Sequence, residues 1–162
     1  MLKVADEFIV IDSGSTDATL QICQQFGLTV HYHAYTTHGT QMNYATSLAS
    51  HDWVLCMDSD EILDDEVAAA ILALKAGDEP DPTCAWRLPR HWFVLGEEVR
   101  TIYPVSSPDF PVRLYNRSVA RFNERPVDDQ VVGFTHSARL PGFVRHDTFY
   151  SLHEVFNKLN SY

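Results

Sequence analysis

Apolar residues along this chain follow two regimes that meet near residue 78. Before that point short apolar runs alternate with segments whose apolar positions recur every three or four residues, the periodicities of strands and helices. "EFIVID" (7–12) reads as a strand. "STDATLQICQQFG" (15–27) reads as a helix capped by Ser15 or Thr16, with Leu20, Cys23 and Phe26 on one face and Gly27 ending it. "LTVHYHA" (28–34) alternates as a strand, "GTQMNYATSLAS" (39–50) reads as a helix and "WVLCMD" (53–58) as a buried strand. "DDEVAAAILALKAG" (64–77) predicts a helix capped by Asp64, with Val67, Ile71 and Leu74 inward. Strands alternating with helices predict a parallel sheet wrapped by helices, an α/β fold.

After the loop "DEPDP" (78–82) the pattern becomes short aromatic-rich strands, "AWRLPRHWFVLG" (85–96) and "VRLYNR" (112–117), broken by Pro and Ser. This half predicts a mixed or antiparallel extension. The end, "FYSLHEVFNKLNSY", predicts a helix with a stripe of Leu152, Val155, Phe156 and Leu159. No internal repeat interrupts the 162 residues, and an apolar content of 45% suffices for the core of one domain.

Charge narrows the partners. A net charge of −10 argues against a duplex nucleic-acid binder, which needs a basic face for phosphates, although a nucleotide can still bind through a metal. Cys23, Cys56 and Cys84 lie far apart without zinc-site spacing, so they predict reduced, buried thiols of a cytoplasmic protein. No apolar run reaches the ~18 residues of a membrane span, which leaves room for peripheral contact with a membrane.

The chemistry concentrates at strand ends, where open parallel sheets bind ligands. Asp12 ends one strand and leads through Ser13, Gly14, Ser15, Thr16 and Asp17 into a helix; the segment reads either as a cap with a glycine turn or as a nucleotide site. "WVLCMDSDEIL" ends another strand on Asp58, Asp60 and Glu61. Unpaired carboxylates about 4 Å apart repel by roughly 4 kcal/mol at a surface-like dielectric, so the triplet predicts a cation brought from outside the chain, held by Asp58 and Asp60 as oxygen ligands.

"FIVIDSGSTDAT", "HGTQMNYATSLASHDWVLCMDSDE", "RLPRHWFVLG", "PDFPVRLYNR", "ARFNERPVDDQV" and "HDTFYSLHEVFNKLN" resemble, in this order, glycosyltransferase family 2 enzymes of lipopolysaccharide core synthesis, a group that includes a β-1,4-glucosyltransferase. The resemblance implies a GT-A-like fold over one domain, 1–162, with a nucleotide-sugar-binding half (1–77) and an acceptor-side half (84–162). It implies inverting transfer from a nucleotide sugar such as UDP-glucose to a saccharide or lipid-linked saccharide acceptor, with Mg²⁺ or Mn²⁺, at the cytoplasmic face of the inner membrane. Carried over, Asp12, Ser13, Gly14, Asp17, Asn43, Asp58 and Arg113 fall in the nucleotide-sugar site, with Arg113 facing phosphate or pairing with an acid. Asp60, Asp58 and His146 fall at the metal. The family's Val-His-Glu falls on Val127, Asp128 and Asp129, making Asp129 the first choice for catalytic base and Asp128 the second. Family members also begin with a strand, a Thr/Pro-x-Asn-Glu turn and a helix. Here the chain starts just before their second strand, so the fold is expected to lack about thirty residues of a βαβ unit and to leave two open strand edges.

Two rivals share these residues. A haloacid-dehalogenase-like phosphatase would use Asp58 as nucleophile and Asp60 as acid–base, though Glu61 and Ile62 stand where that motif has Thr or Val. A truncated relative would keep a donor site without turnover. His31 and His33 read as exposed strand residues, and Trp86, Trp92 and Phe93 read either as core or as a wall for a sugar.

Overall fold

The computed structural model describes residues 4–102, 105–149 and 151. The first half holds β1 (Val10–Asp12), α1 (Thr19–Gln25), β2 (Val30–Tyr32), α2 (His38–Leu48), β3 (Trp53–Leu55), β4 (Glu61–Leu63) and α3 (Asp65–Ala76). Among the described residues only strands follow: β5 (Cys84–Arg87), β6 (Arg90–Val94), β7 (Glu97–Val99), β8 (Thr101–Ile102), β9 (Val105–Ser106), β10 (Val112–Asn116), β11 (Arg121–Phe122), β12 (Val131–Val132), β13 (His136–Arg139) and β14 (Val144–Phe149). The helical stripe predicted from Leu152 to Leu159 lies outside the described residues.

Local signals explain where the well-predicted elements start and stop. The Asp64 side chain accepts from the Val67 amide at 2.8 Å and caps α3, which buries Val67 and Ile71 as its periodicity requires. Thr37 caps α2 by accepting from the Thr40 amide at 3.1 Å. Helix α1 departs from expectation. It begins at Thr19 without a side-chain cap, and Leu20, Ile22 and Phe26 remain about half exposed, with Cys23 alone buried. An amphipathic stripe is buried only where a layer faces it, and the β1–β2 sheet beside this helix is two strands wide.

The central sheet has the order β13-β5-β10-β3 and carries core on both faces. Alternation along β5 sends Ala85 to one side and Trp86 to the other. Trp86, Leu88, Leu114 and Leu140 pack with Val67 and Ile71 of α3, while Val54, Cys56, Ala85, Val112, Tyr115, Phe122 and Val131 pack on the opposite face with Met42 of α2. A second sheet, β4-β14-β6-β7, adjoins it.

The strands of the first half fall in separate sheets, and the second half is mixed as expected. β1 and β2 pair in parallel, but β3 pairs antiparallel with β10, Leu55 opposite Leu114. Cys56 N donates to Arg113 O and Arg117 N to Asp52 O, so the amides of Trp53 and Leu55 point off the sheet's edge, where no strand lies among the described residues. Strand β4 had no sequence signal of its own; three residues after the acidic turn pair antiparallel with β14.

Candidate active site

The strand end at Asp12 closes on itself. Asp12 accepts from the Gly14 amide at 2.8 Å and the Ser15 amide at 3.0 Å, with Gly14 at φ +106°, a conformation that favours glycine. The Ser15 hydroxyl and these two amides hold the Asp12 carboxyl below its ordinary pKa. Asp17 accepts from the Thr19 amide and hydroxyl and tightens the entry to α1.

The acidic turn is built differently. Glu61, with a fully buried side chain, accepts from the Asp58 amide at 3.1 Å and from Arg90 Nη1 at 3.0 Å, and it also pairs with Arg113 Nη2. Asp58 accepts from Arg113 Nη2 at 2.7 Å. Arg113 is therefore shared by two carboxylates inside the protein, the ion-pairing alternative of the sequence reading, and its pKa lies above its ordinary value because those charges outweigh burial. Arg90 forks onto Asp109 through Nε at 3.0 Å and Nη2 at 2.5 Å. The expectation that the triplet awaits a cation from outside the chain is corrected for Asp58 and Glu61, since Arg90 and Arg113 supply positive charge. Asp60 differs. It is the more exposed carboxylate, and its one described partner is His146 Nε2 at 3.0 Å.

The first turn of α2 joins the strand ends to the far side of the site. His38 Nε2 lies 2.8 Å from Asp58 Oδ1 and Nδ1 lies 2.7 Å from Asp129 Oδ2. The Asp58 hydrogen bond, opposed by burial and aided by Asp129, pushes His38 from 6.5 up to about 9, so the imidazole is charged at neutral pH and donates from both nitrogens. Burial alone would raise the Asp58 carboxyl, but the His38 bond and the Arg113 charge overcome it and hold Asp58 well below the carboxylate range. One turn further along α2, Gln41 Nε2 donates to Ser13 Oγ at 2.8 Å while Oε1 meets His33 Nδ1 at 2.7 Å. Helix α2 thus contacts the Asp12 turn, Asp58 and Asp129 together.

Beyond His38 opens a cleft of about 450 Å³, lined among others by Asp58, Arg87, Arg90, Phe110, Arg113 and Asp129. Asp128 and Asp129 both border it but differ in setting. Asp128 is exposed with φ +57°, whereas the Asp129 side chain is 18% exposed and fixed by His38. Asn43 gives its side-chain amide to the backbone of Phe122, donating to the carbonyl at 2.9 Å and accepting from the amide at 3.0 Å, and so clamps β11 onto α2. Trp86 is core, edge-on to Trp53 at 5.1 Å, while Trp92 donates to Asp109 and lies under the Arg90 guanidinium.

Sequence reasoning did not single out His38, Arg90 or Asp109. His38 was one histidine among eight, and its role depends on partners 20 and 91 positions away. For a metal, the described residues contain no group of three or more His, Cys, Asp or Glu suited to hold one. Asp60 with His146 is the pair best placed to contribute, because the oxygens of Asp58 already face His38 and Arg113.

Comparison with known proteins bears on this site. Residues 3–138 match the model of the family described as Glycosyl transferase family 2. An uncharacterized glycosyltransferase of Rickettsia typhi is 28% identical over 170 residues, covering 99% of this chain and 57% of the relative. One from Rickettsia bellii is 30% identical over 121 residues, 74% of this chain and 40% of the relative. The lipopolysaccharide core biosynthesis glycosyltransferase LpsC of Rhizobium meliloti is 27% identical over 100 residues, 59% of this chain and 36% of the relative. The chain spans little more than half the length of the first of these relatives.

Proposed function

The chain belongs to glycosyl transferase family 2, with an α/β fold of the GT-A class, and from that premise we propose that it transfers a hexosyl group with inversion from a UDP-glucose-like nucleotide sugar to a saccharide acceptor. The LpsC name points to lipopolysaccharide core or related cell-envelope glycan as the acceptor class. A lipid-linked acceptor would bring the chain to the cytoplasmic face of the inner membrane, and no helix among the described residues is long and apolar enough to cross it. The observation that carries this reading is the His38 bridge, which sets the acid of a donor-side strand end and a cleft-lining carboxylate on one imidazolium.

The roles follow from position. The Asp12–Ser15 turn, braced through Ser13 by Gln41, receives the nucleoside. Asp60 and His146 would hold Mg²⁺ or Mn²⁺, an ion that needs few protein ligands and would supply charge neutralisation for the leaving diphosphate. Asp129, facing the cleft, accepts the proton of the acceptor hydroxyl as that oxygen bonds to the anomeric carbon and the diphosphate departs. His38 holds Asp129 in place for that transfer. Asp58 is bonded to both His38 and Arg113, an arrangement ill suited to a phosphatase nucleophile.

Calorimetry with UDP-glucose tests the donor half. Binding should strengthen with Mn²⁺, and Asp60→Asn should remove the enhancement while leaving metal-free affinity unchanged. Equal affinity with and without Mn²⁺ in the wild type would defeat the metal assignment, and no binding in either condition would defeat the donor site.

A further inference from the structure

Arg87, where β5 lines the cleft, has a second arginine, Arg139, beside it on β13. Arg87 on β5 and Arg139 on β13 are register partners in a parallel ladder, so their side chains leave the same face of the sheet as neighbours. Like charges directly opposite one another on a sheet are destabilising. In a chain of net charge −10 carboxylates are plentiful, and Arg90 and Arg113 in the same region have them, yet neither Arg87 nor Arg139 forms an ion pair among the described residues. Neutral groups orient them instead. Arg87 Nη1 donates to the Phe110 carbonyl at 2.8 Å and Nε to Ser137 Oγ at 3.2 Å, which fixes the guanidinium plane, and the Arg139 guanidinium lies 3.7 Å from the centroid of the Phe110 ring. Both are thus tied to Phe110, which with Arg87 lines the cleft that Asp129 also borders.

We propose that Arg87 and Arg139 form an anion subsite for a phosphate carried by the acceptor saccharide. The proposal rests on the glycosyl-transfer reading, because the carboxylate that takes the acceptor's proton must face the acceptor. The cleft beyond Asp129 is then the acceptor's, and a group bound at Arg87 is part of it rather than of the donor. Two oriented guanidinium forks suit the several oxygens of a phosphate, and its charge would relieve their mutual repulsion.

The test is an NMR titration of the whole chain at fixed ionic strength, following the arginine Nε–H signals together with the Gly14 and Ser15 amides. The probes are glucose 6-phosphate, glucose, UDP and phosphatidylglycerol vesicles. Glucose 6-phosphate should shift the Arg87 and Arg139 signals saturably, glucose should not, and Arg139→Gln should weaken the response at least about fivefold, as loss of one charge-assisted fork implies. Arg139 is exposed, so that variant keeps its fold, and Arg87→Gln should weaken the response further. No response to glucose 6-phosphate, or an equal one to glucose, would overturn the subsite. A stronger response to UDP would assign the arginines to the donor, and one confined to vesicles would assign them to a membrane surface; either overturns the acceptor reading. UDP binding is read separately at Gly14 and Ser15. Its absence with an intact arginine response would remove the donor site alone, and the converse would remove the anion subsite alone.

Discussion

Replacing His38 by Ala gives a stability change whose pH dependence can be worked out beforehand. A histidine raised from 6.5 to about 9 in the folded chain corresponds to roughly 3 kcal/mol at about 1.4 kcal/mol per pH decade; with the side chain 32% exposed, solvent screening reduces this to about 1–2 kcal/mol. The sign follows from proton uptake. The folded-state pKa lies above the unfolded one, so the contribution is fully present below pH 6.5, declines as pH rises and is lost above about 9. Removing the imidazole also removes its edge-on contact with Phe122, at 5.5 Å between centroids, but that loss does not depend on pH and cancels when the slopes are compared. In urea unfolding followed by tryptophan fluorescence, the wild-type midpoint should fall between pH 6 and pH 10 by about 0.5–1 M more than that of the variant, for a typical m near 2 kcal/mol/M. Thiols and the amino terminus titrate in both proteins and drop out of the difference. Parallel pH profiles for the two proteins would refute the placement of a charged imidazole between Asp58 and Asp129.

The remaining predictions use the same region. Asp129→Asn should lower transfer of labelled glucose by about 10²–10⁴-fold with donor affinity retained, as expected for a lost general base, whereas Asp128→Asn should stay substantially active; the reverse order would move the base to Asp128. Arg113→Met leaves the buried Glu61 with Arg90 as its remaining cation and should cost about 3–5 kcal/mol in chemical denaturation, so a change under about 1 kcal/mol would contradict the buried pair. Asp58→Asn should lower the melting temperature while the half-exposed Asp60→Asn leaves it unchanged, because Asp58 bonds both His38 and Arg113. Gly39→Ala should lower stability by about 1–3 kcal/mol, the cost of overpacking, since a Cβ there would strike the Asn123 carbonyl oxygen; an unchanged midpoint would show that α2 does not hold the β11 segment so closely.

What could be read from the sequence depended on how far apart the interacting residues are. The cap at Asp64, the glycine turn after Asp12 and the inward stripe of α3 follow from local spacing, and the sequence signals them directly; the Thr37 cap is equally local but was not singled out. The exposure of the α1 stripe and the strand β4 are not legible in the sequence because each depends on a distant layer. The two-stranded sheet beside α1 does not cover its stripe, and β4 exists through pairing with β14.

Electrostatics shows the same limit more sharply. Three acids within four residues read as a deficit of positive charge because the residues that supply it lie elsewhere in the chain, Arg113 being 55 positions from Asp58 and Arg90 being 29 from Glu61. Four carboxylates, Asp58, Glu61, Asp109 and Asp129, face three cations, His38, Arg90 and Arg113, so this network is nearly neutral. Near-neutrality divides the acidic motif by function. Glu61 and Asp58 hold the strand end to the sheet through buried ion pairs, whose removal is costly because the partner charge stays behind. Asp60 lies outside that network, partly exposed and paired with His146. A D-x-D pattern therefore does not assign equal roles to its two carboxylates: here the first is fixed by the protein's own cations, and the second, bonded to His146 alone among the described residues, is the one that the proposed function gives to a substrate-borne charge.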